Sequence, residues 1–135
     1  NDCLPAFVNL AKLGLNFGMQ GVQFTATSTT AESQMLSNSM YVHSIPNNND
    51  NQDIVSMGTN AALITKKVIE NAFEVVAIEM ITIIQAIEYL GYQDKISSKT
   101  LEMYKEIRKI VPVFKEDVIM YPYVNDVKKY IMKID

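Results

Sequence analysis

One segment decides most of what this chain can fold into: residues 55–90, VSMGTNAALITKKVIENAFEVVAIEMITIIQAIEYL, with Gly91 directly after it. No proline interrupts the run, and the spacing predicts a single long helix over 55–90 with Gly91 as the C′ stop. Its polar residues form a narrow line, Lys67, Asn71, Glu74, Gln85 and Glu88, at steps compatible with one helical face, and Ile78 and Ile81 fall on that same line. The rest of the circumference is mostly Val, Ile, Leu, Ala, Met and Phe, the pattern of a helix buried in a bundle. At 1.5 Å per residue such a helix spans roughly 50 Å. A globule of this chain's size has a radius of gyration of about 14 Å, hence a diameter of about 35–40 Å. A straight helix therefore outruns a monomeric globule and has to lie against other chains or further polypeptide. A kink near Asn71, dividing the segment into two helices, is the alternative.

The flanking segments are shorter. Residues 1–13 read as a short apolar helix or helix entry with Pro5 near its start, and Gly14 as a break. Residues 16–37 read as a second helix lined by small residues, Gly18, Gly21, Ala26, Ser28 and Ala31, with a strand over Val22–Thr30 as the alternative. Residues 38–53, NSMYVHSIPNNNDNQD, carry the strongest turn chemistry in the chain and read as a loop. Ser97 or Ser98 can cap a helix over Thr100–Ile110, which Pro112 ends. Lys115-Glu116-Asp117 reads as a solvated turn. Pro122 opens a last short helix whose stripe is Val124, Val127, Ile131 and Ile134. No repeat or linker divides the chain, so residues 1–135 are expected to form one helical segment, all-α in class.

Composition removes several functions. Lys+Arg (12) and Asp+Glu (15) nearly cancel, and Arg108 is the lone arginine, so the chain has no electrostatic footprint for nucleic acid. Val75–Ile87 is apolar but interrupted by Glu79, Thr82 and Gln85, and it is too short for a membrane span. Gly14–Ala31 is free of charge but rich in Asn, Gln, Ser and Thr, which lipid would leave unpaired. No basic region precedes an apolar stretch at the start, so no signal peptide is expected. One cysteine, Cys3, reads as an ordinary near-terminal thiol suited to a reducing cytoplasm. The chain begins without Met, and we expect a fragment, a processed product or a trimmed piece of a longer protein.

Catalytic constellations are scarce. A single histidine, His43, gives no His-based zinc site, and it reads as a structural hydrogen-bonding residue. No EF-hand spacing and no glycine-rich phosphate loop occur. Ser44, His43 and Asp50 could supply a triad only if adjacent residues pointed into one site, which is rare. What remains is the loop at residues 44–58, S-I-P-N-N-N-D-N-Q-D-I-V-S-M-G. Asn51 or Asp53 would cap the long helix, fixing Gln52 just before its N-terminus, where the helix dipole favours a carboxylate. The bland alternative is that these side chains only satisfy turn and cap groups.

S-I-P at 44–46 followed by N-Q-D-I-V-S-M-G-T-N-A-A at 51–62 resembles the C-terminal signature of the aromatic amino-acid ammonia-lyases, which include histidine, tyrosine and phenylalanine ammonia-lyases and related aminomutases. G-L-N-F-G-M-Q-G-V-Q at 14–23 with A-E-S at 31–33 is similar to the family's core helix before this loop. V-P-V-F-K-E-D at 111–117 and M-Y-P at 120–122 resemble its tail. The resemblance implies a helical homotetramer of long, nearly parallel helices and a small aromatic amino acid as substrate. It also implies a methylidene-imidazolone cofactor, formed from an internal Ala-Ser-Gly. Ammonia is eliminated to an arylacrylate; aminomutases return it to the β-carbon.

This chain contains no Ala-Ser-Gly, so it looks like the last portion of a lyase subunit, inactive by itself and without a complete catalytic set. By the motif, Asn51, Gln52 and Asn48 are the substrate- or cofactor-binding candidates. Gln52 stands where histidine lyases carry Glu and where phenylalanine and tyrosine enzymes carry Gln. A Gln offers only neutral hydrogen bonds, which favours a tyrosine- or phenylalanine-type substrate. Asn48 stands where plant phenylalanine lyases have Glu, a departure that points to bacterial tyrosine- or histidine-like members. Tyrosine aminomutase and a stand-alone helical oligomerisation module are the alternatives.

Overall fold

The computed structural model describes residues 3–12 and 14–134. Four α-helices carry the structure, α1 (Gln20–Met35), α2 (Gly58–Leu90), α3 (Ser98–Ile110) and α4 (Tyr121–Ile131), with short 3₁₀ turns at Ala6–Val8 and Met40–His43. Among the described residues there is no strand, only one isolated bridge between Asn47 and Gln52. The all-α expectation holds, and the strand alternative for 22–30 does not.

The long helix is continuous. It begins three residues later than expected, at Gly58, and passes through Asn71 without a break. Asn71 does not kink the helix because its side chain bonds outward rather than to its own backbone: Nδ2 donates to Glu32 Oε2 at 2.7 Å and to Ser33 Oγ at 3.2 Å. Gly91 stops it in the left-handed conformation, φ 60°, and Tyr92 N–H returns to the Ile87 carbonyl at 3.2 Å.

The polar line of α2 faces inward. Asn71 and Gln85 are buried. Glu74 accepts from Thr29 of α1 and lies 3.5 Å from Lys128 of α4. Glu88 accepts from the Tyr104 hydroxyl of α3. Each polar group finds a partner on the helices that pack there, which is the condition for burying it. Ile78 and Ile81, on the same line, enter the core with Ala77, Ile84, Val22, Ile107, Val111, Val124, Val127 and Ile131. The opposite side of α2 leaves apolar residues exposed: Ile69 at 50%, Val76 at 37% and Ile83 at 46%.

The N-terminal segment differs from the helix expected over 1–13; residues 1, 2 and 13 of it lie outside the described residues. Pro5 is extended, and Phe7 and Val8 have φ of 54° and 49° inside a single 3₁₀ turn. Asn9 is buried and binds both ways, donating to the Asn16 carbonyl at 2.6 Å and accepting from Ala11 N–H at 3.0 Å. These side-chain bonds replace the helical ladder. The segment then crosses the start of α1, where Met19 N–H donates to the Phe7 carbonyl at 2.9 Å.

Helix α1 starts at Gln20, not residue 16. The reason lies about 100 residues away. The Asp117 carboxylate accepts from Phe17 N–H at 2.9 Å and Gly18 N–H at 3.0 Å, and Asp117 N–H donates to Asn16 Oδ1 at 2.7 Å. Lys115-Glu116-Asp117 is thus not merely a solvated turn; its last residue ties the tail segment to the entry of α1. Ser97, rather than Ser98, caps α3, accepting from Thr100 N–H at 3.1 Å. Pro122 lies in the first turn of α4, whose buried residues are Val124, Val127 and Ile131. Ile134 falls beyond the helix end and is half exposed, outside the stripe expected for it.

Candidate functional site

The candidate residues lie on the connection between α1 and α2, residues 36–57. Ser44 staples its two arms, its Oγ accepting from Val55 N–H at 2.8 Å. Inside this staple, Asn47 and Gln52 exchange backbone hydrogen bonds, Asn47 N–H to Gln52 O at 3.0 Å and Gln52 N–H to Asn47 O at 3.3 Å. The chain turns between them through three successive left-handed residues, Asn48 (φ 53°), Asn49 (φ 53°) and Asp50 (φ 64°). Asn and Asp tolerate this region better than other non-glycine residues because their short polar side chains bond locally. The Asn run is therefore a specific turn sequence and not low-complexity filler. Such strain is held where the surroundings impose it, commonly at functional loops.

Asn48, Asn51 and Gln52 are exposed, and none of their side chains makes a hydrogen bond among the described residues. The turn brings all three together, with Asn51 N–H closing on the Asn48 carbonyl at 3.1 Å. Three neutral carboxamides, each able to donate and accept, thus open from one tight turn to whatever lies outside it.

The cap expected from Asn51 or Asp53 is absent. The N-cap of α2 is Met57, itself left-handed at φ 51°, and no side chain accepts from the first N–H groups of α2. Residues 53–57 intervene between the bridge and the helix, so the turn is held by its own backbone bridge and by Ser44 rather than by the helix end. His43 also differs from expectation: it is exposed and makes no hydrogen bond among the described residues. Ser44 Oγ accepts from Val55 N–H and His43 bonds to neither Ser44 nor Asp50, so among the described residues the triad of Ser44, His43 and Asp50 is not assembled. Among the described residues no group of three or more His, Cys, Asp or Glu could hold a metal ion, and no helix is long and apolar enough to cross a membrane.

Sequence reasoning missed two tertiary devices, one part-buried and one exposed. Arg108 is sunk between α2 and α3, its Nη2 donating to the Ile84 carbonyl at 2.8 Å and to Gln85 Oε1 at 3.0 Å. Gln85 in turn donates to the Phe114 carbonyl at 2.5 Å. The signal available in the sequence was that Arg108 is the lone arginine and that Gln85 interrupts the apolar run 75–87. The second device is Asp117 at the entry of α1, which no local pattern could reveal. A groove of about 780 Å³ adjoins that entry, lined by Phe17, Phe24, Glu74, Met120, Tyr121 and Lys128 among others. It contains none of Asn48, Asn51 and Gln52.

A long inward-facing helix, preceded by a strained amide-bearing turn, defines the kind of helical enzyme module to which the chain compares. The family model described as aromatic amino acid lyase matches residues 1–109. The chain is 41% identical over 121 residues to histidine ammonia-lyase 1 of Fusobacterium nucleatum, covering 90% of this chain and 23% of that protein. It is 33% identical to tyrosine ammonia-lyase of Cupriavidus metallidurans, covering 89% and 22%. The solved structure of Pantoea agglomerans phenylalanine aminomutase superposes with a TM-score of 0.91 at 31% identity, covering 96% of this chain and 25% of that one. This chain belongs to the aromatic amino acid lyase family. It spans about a quarter of the length of the curated relatives it matches.

Proposed function

We infer that this chain is the C-terminal part of a subunit that eliminates ammonia from an aromatic amino acid to give an arylacrylate. The supporting observation is the N-Q-D-I-V-S-M-G string carried on a strained turn whose Asn51 and Gln52 side-chain amides have no hydrogen-bond partner among the described residues. Amides held in this way bind and orient a polar group of a substrate without adding charge. Gln52, unlike a glutamate, cannot pair ionically with an imidazolium or take up a proton. That chemistry favours tyrosine or phenylalanine over histidine as substrate. Asn48, neutral as well, completes the polar wall.

The family's methylidene-imidazolone supplies an electrophile, but it forms from Ala-Ser-Gly, and the chain has no such triplet. The residues present do not fit a resident group of that kind. Other polypeptide has to contribute it, and the isolated chain is inactive in this reading. The proposed assembly is a homotetramer in the cytoplasm, and the exposed apolar side of α2 is the observation that favours association.

Two experiments test the reading. Tyrosine or phenylalanine added to the isolated chain gives no rise in arylacrylate absorbance; clear turnover overturns the inactivity. In a subunit that carries the upstream cofactor-forming segment, Gln52→Glu lowers kcat/KM for tyrosine about tenfold, the effect of ~1.4 kcal/mol from a carboxylate placed near the substrate's own. An unchanged kcat/KM removes Gln52 from the site. The likeness to an aminomutase structure favours a second reading, in which ammonia returns to the β-carbon; a β-amino acid among the products would establish it. The exposed side of α2 also suits a non-catalytic oligomerisation module, which native mass and an upstream reading frame without Ala-Ser-Gly would support.

A further inference from the structure

We propose that two polar rungs between α1 and α2, Thr29–Glu74 and Glu32–Asn71, set the register of this antiparallel pair and so position the Asn48–Gln52 turn that connects the two helices. The functional half of this rests on the reading of that turn as part of a lyase site; the register itself does not.

The rungs repeat at the same interval on both helices. Thr29 Oγ1 donates to Glu74 Oε1 at 3.1 Å, and three residues further along each helix Asn71 Nδ2 donates to Glu32 Oε2 at 2.7 Å. Ser33 Oγ joins the second rung at 3.2 Å, and Lys67 approaches Glu32 at 3.4 Å. Lys128 of α4 braces Glu74 from the other side at 3.5 Å. Asn71 is buried, so its amide must keep a partner.

The apolar half of the same interface cannot choose a register. Continued along the pair, the pattern opposes Ala26 to Ala77 and Val22 to Ile81. Moving α2 by one turn opposes Ala26 to Met80 and Val22 to Ile84, which is again apolar against apolar. The polar half does choose. That slip places Glu32 opposite Glu74, two carboxylates together. The opposite slip places Glu32 against Val68 and Glu74 against Ala26, so that both carboxylates lose their hydrogen-bond partners across the pair. Polar residues at otherwise apolar interfaces are best attested in this role of fixing register. The consequence reaches the loop because residues 36–57 run from the end of α1 to the start of α2. A one-turn slip shifts one of its anchors by about 5 Å, enough to undo a turn closed by one backbone bridge. Glu32, Asn71, Thr29 and Glu74 are positioning residues in this sense.

The test uses the chain in a Cys3→Ser background with two cysteine pairs, Ala26→Cys/Ala77→Cys for the native register and Ala26→Cys/Met80→Cys for the slipped one. Disulfide yield after mild oxidation reads the register, since bridging demands close Cβ atoms. The native pair is expected to dominate by about tenfold or more, and Glu32→Leu/Asn71→Leu to reduce that preference to about twofold at unchanged helix content. A preference that survives overturns the proposal. Should the leucine variant fail to fold, Glu32→Gln/Glu74→Gln keeps hydrogen bonding while removing the repulsion of the slipped state; it is expected to weaken the preference too, and an unweakened preference overturns the proposal equally. Hydrogen exchange at the Asn47 and Gln52 N–H groups tests the positioning: it accelerates in the rung variants, and unchanged exchange overturns that half. Failure of the Gln52→Glu experiment would remove the lyase-site reading and leave the cross-linking result standing.

Discussion

Glu32 illustrates how one residue ties charge to packing. The hydrogen bond from Asn71 holds its carboxyl below the usual carboxylate range; partial desolvation opposes this, and the charge of Lys67 adds a smaller lowering effect. A depressed carboxylate stabilises the fold above its unfolded pKa, and that contribution is lost as pH falls through the folded value. Glu32→Gln is therefore expected to lower Tm at neutral pH, and the gap from the parent chain to close on acidification toward about pH 3. Thermal melts at several pH values check this; a gap independent of pH would place the effect elsewhere. Gly18 makes a different point at the same scale. Its φ is +57°, and a Cβ there would lie 2.8 Å from the Phe7 carbonyl oxygen and 2.9 Å from Asn9 Cα. Both atoms belong to the backbone and cannot swing aside. Gly18→Ala is expected to destabilise by more than ~1 kcal/mol, measured by denaturant unfolding, whereas Gly21→Ala, with nothing near its Cβ, should be close to neutral.

At the scale of elements, α2 is unusual in packing its polar line against its own chain. The arrangement works because α1, α3 and α4 each bring matching groups: Glu32 and Thr29, Tyr104 and Arg108, and Lys128. The guanidinium of Arg108 joins α3 to α2, and Gln85 passes the connection to the tail segment through Phe114. Arg108→Met deletes the shared donor and leaves Gln85 Oε1 without its buried partner. A loss of about 3 kcal/mol is expected, read as a shift in the unfolding midpoint; a shift under ~0.5 kcal/mol would show that Arg108 lies there passively. The alternation of the sequence announced α2 and its stop at Gly91. It did not announce which side faced inward, because a helix with a narrow polar line and a broad apolar remainder can be oriented either way. The orientation depends on what the neighbouring helices present, and those residues are 39 to 54 positions away in the Glu32–Asn71 and Glu74–Lys128 pairs.

For the whole molecule, the outward side of α2 is the decisive surface. Ile69, Val76 and Ile83 recur at seven-residue steps and are exposed along a helix roughly 50 Å long, and an apolar stripe of this kind associates in water. The chain is expected to self-associate, and Ile69→Lys/Val76→Lys/Ile83→Glu to reduce that association while preserving helix content. Sedimentation velocity distinguishes the outcomes; a strictly monomeric parent chain would contradict the expectation.

The sequence by itself determined the helical class, the body of α2 with its stop at Gly91, and the family, and it narrowed the cap of α3 to Ser97 or Ser98, because periodicity, caps and the N-Q-D-I-V-S-M-G string are local signals. It also marked Asn48, Asn51 and Gln52 as candidates, though not the left-handed turn that gathers them. Only the tertiary structure decided that the polar line of α2 points inward, that Asp117 anchors the entry of α1, and that Met57 rather than Asn51 or Asp53 precedes α2. Each of those outcomes is set by partners distant in the chain or by backbone dihedrals. Hydrophobic patterning records how much apolar surface a segment has, but not which neighbour will cover it.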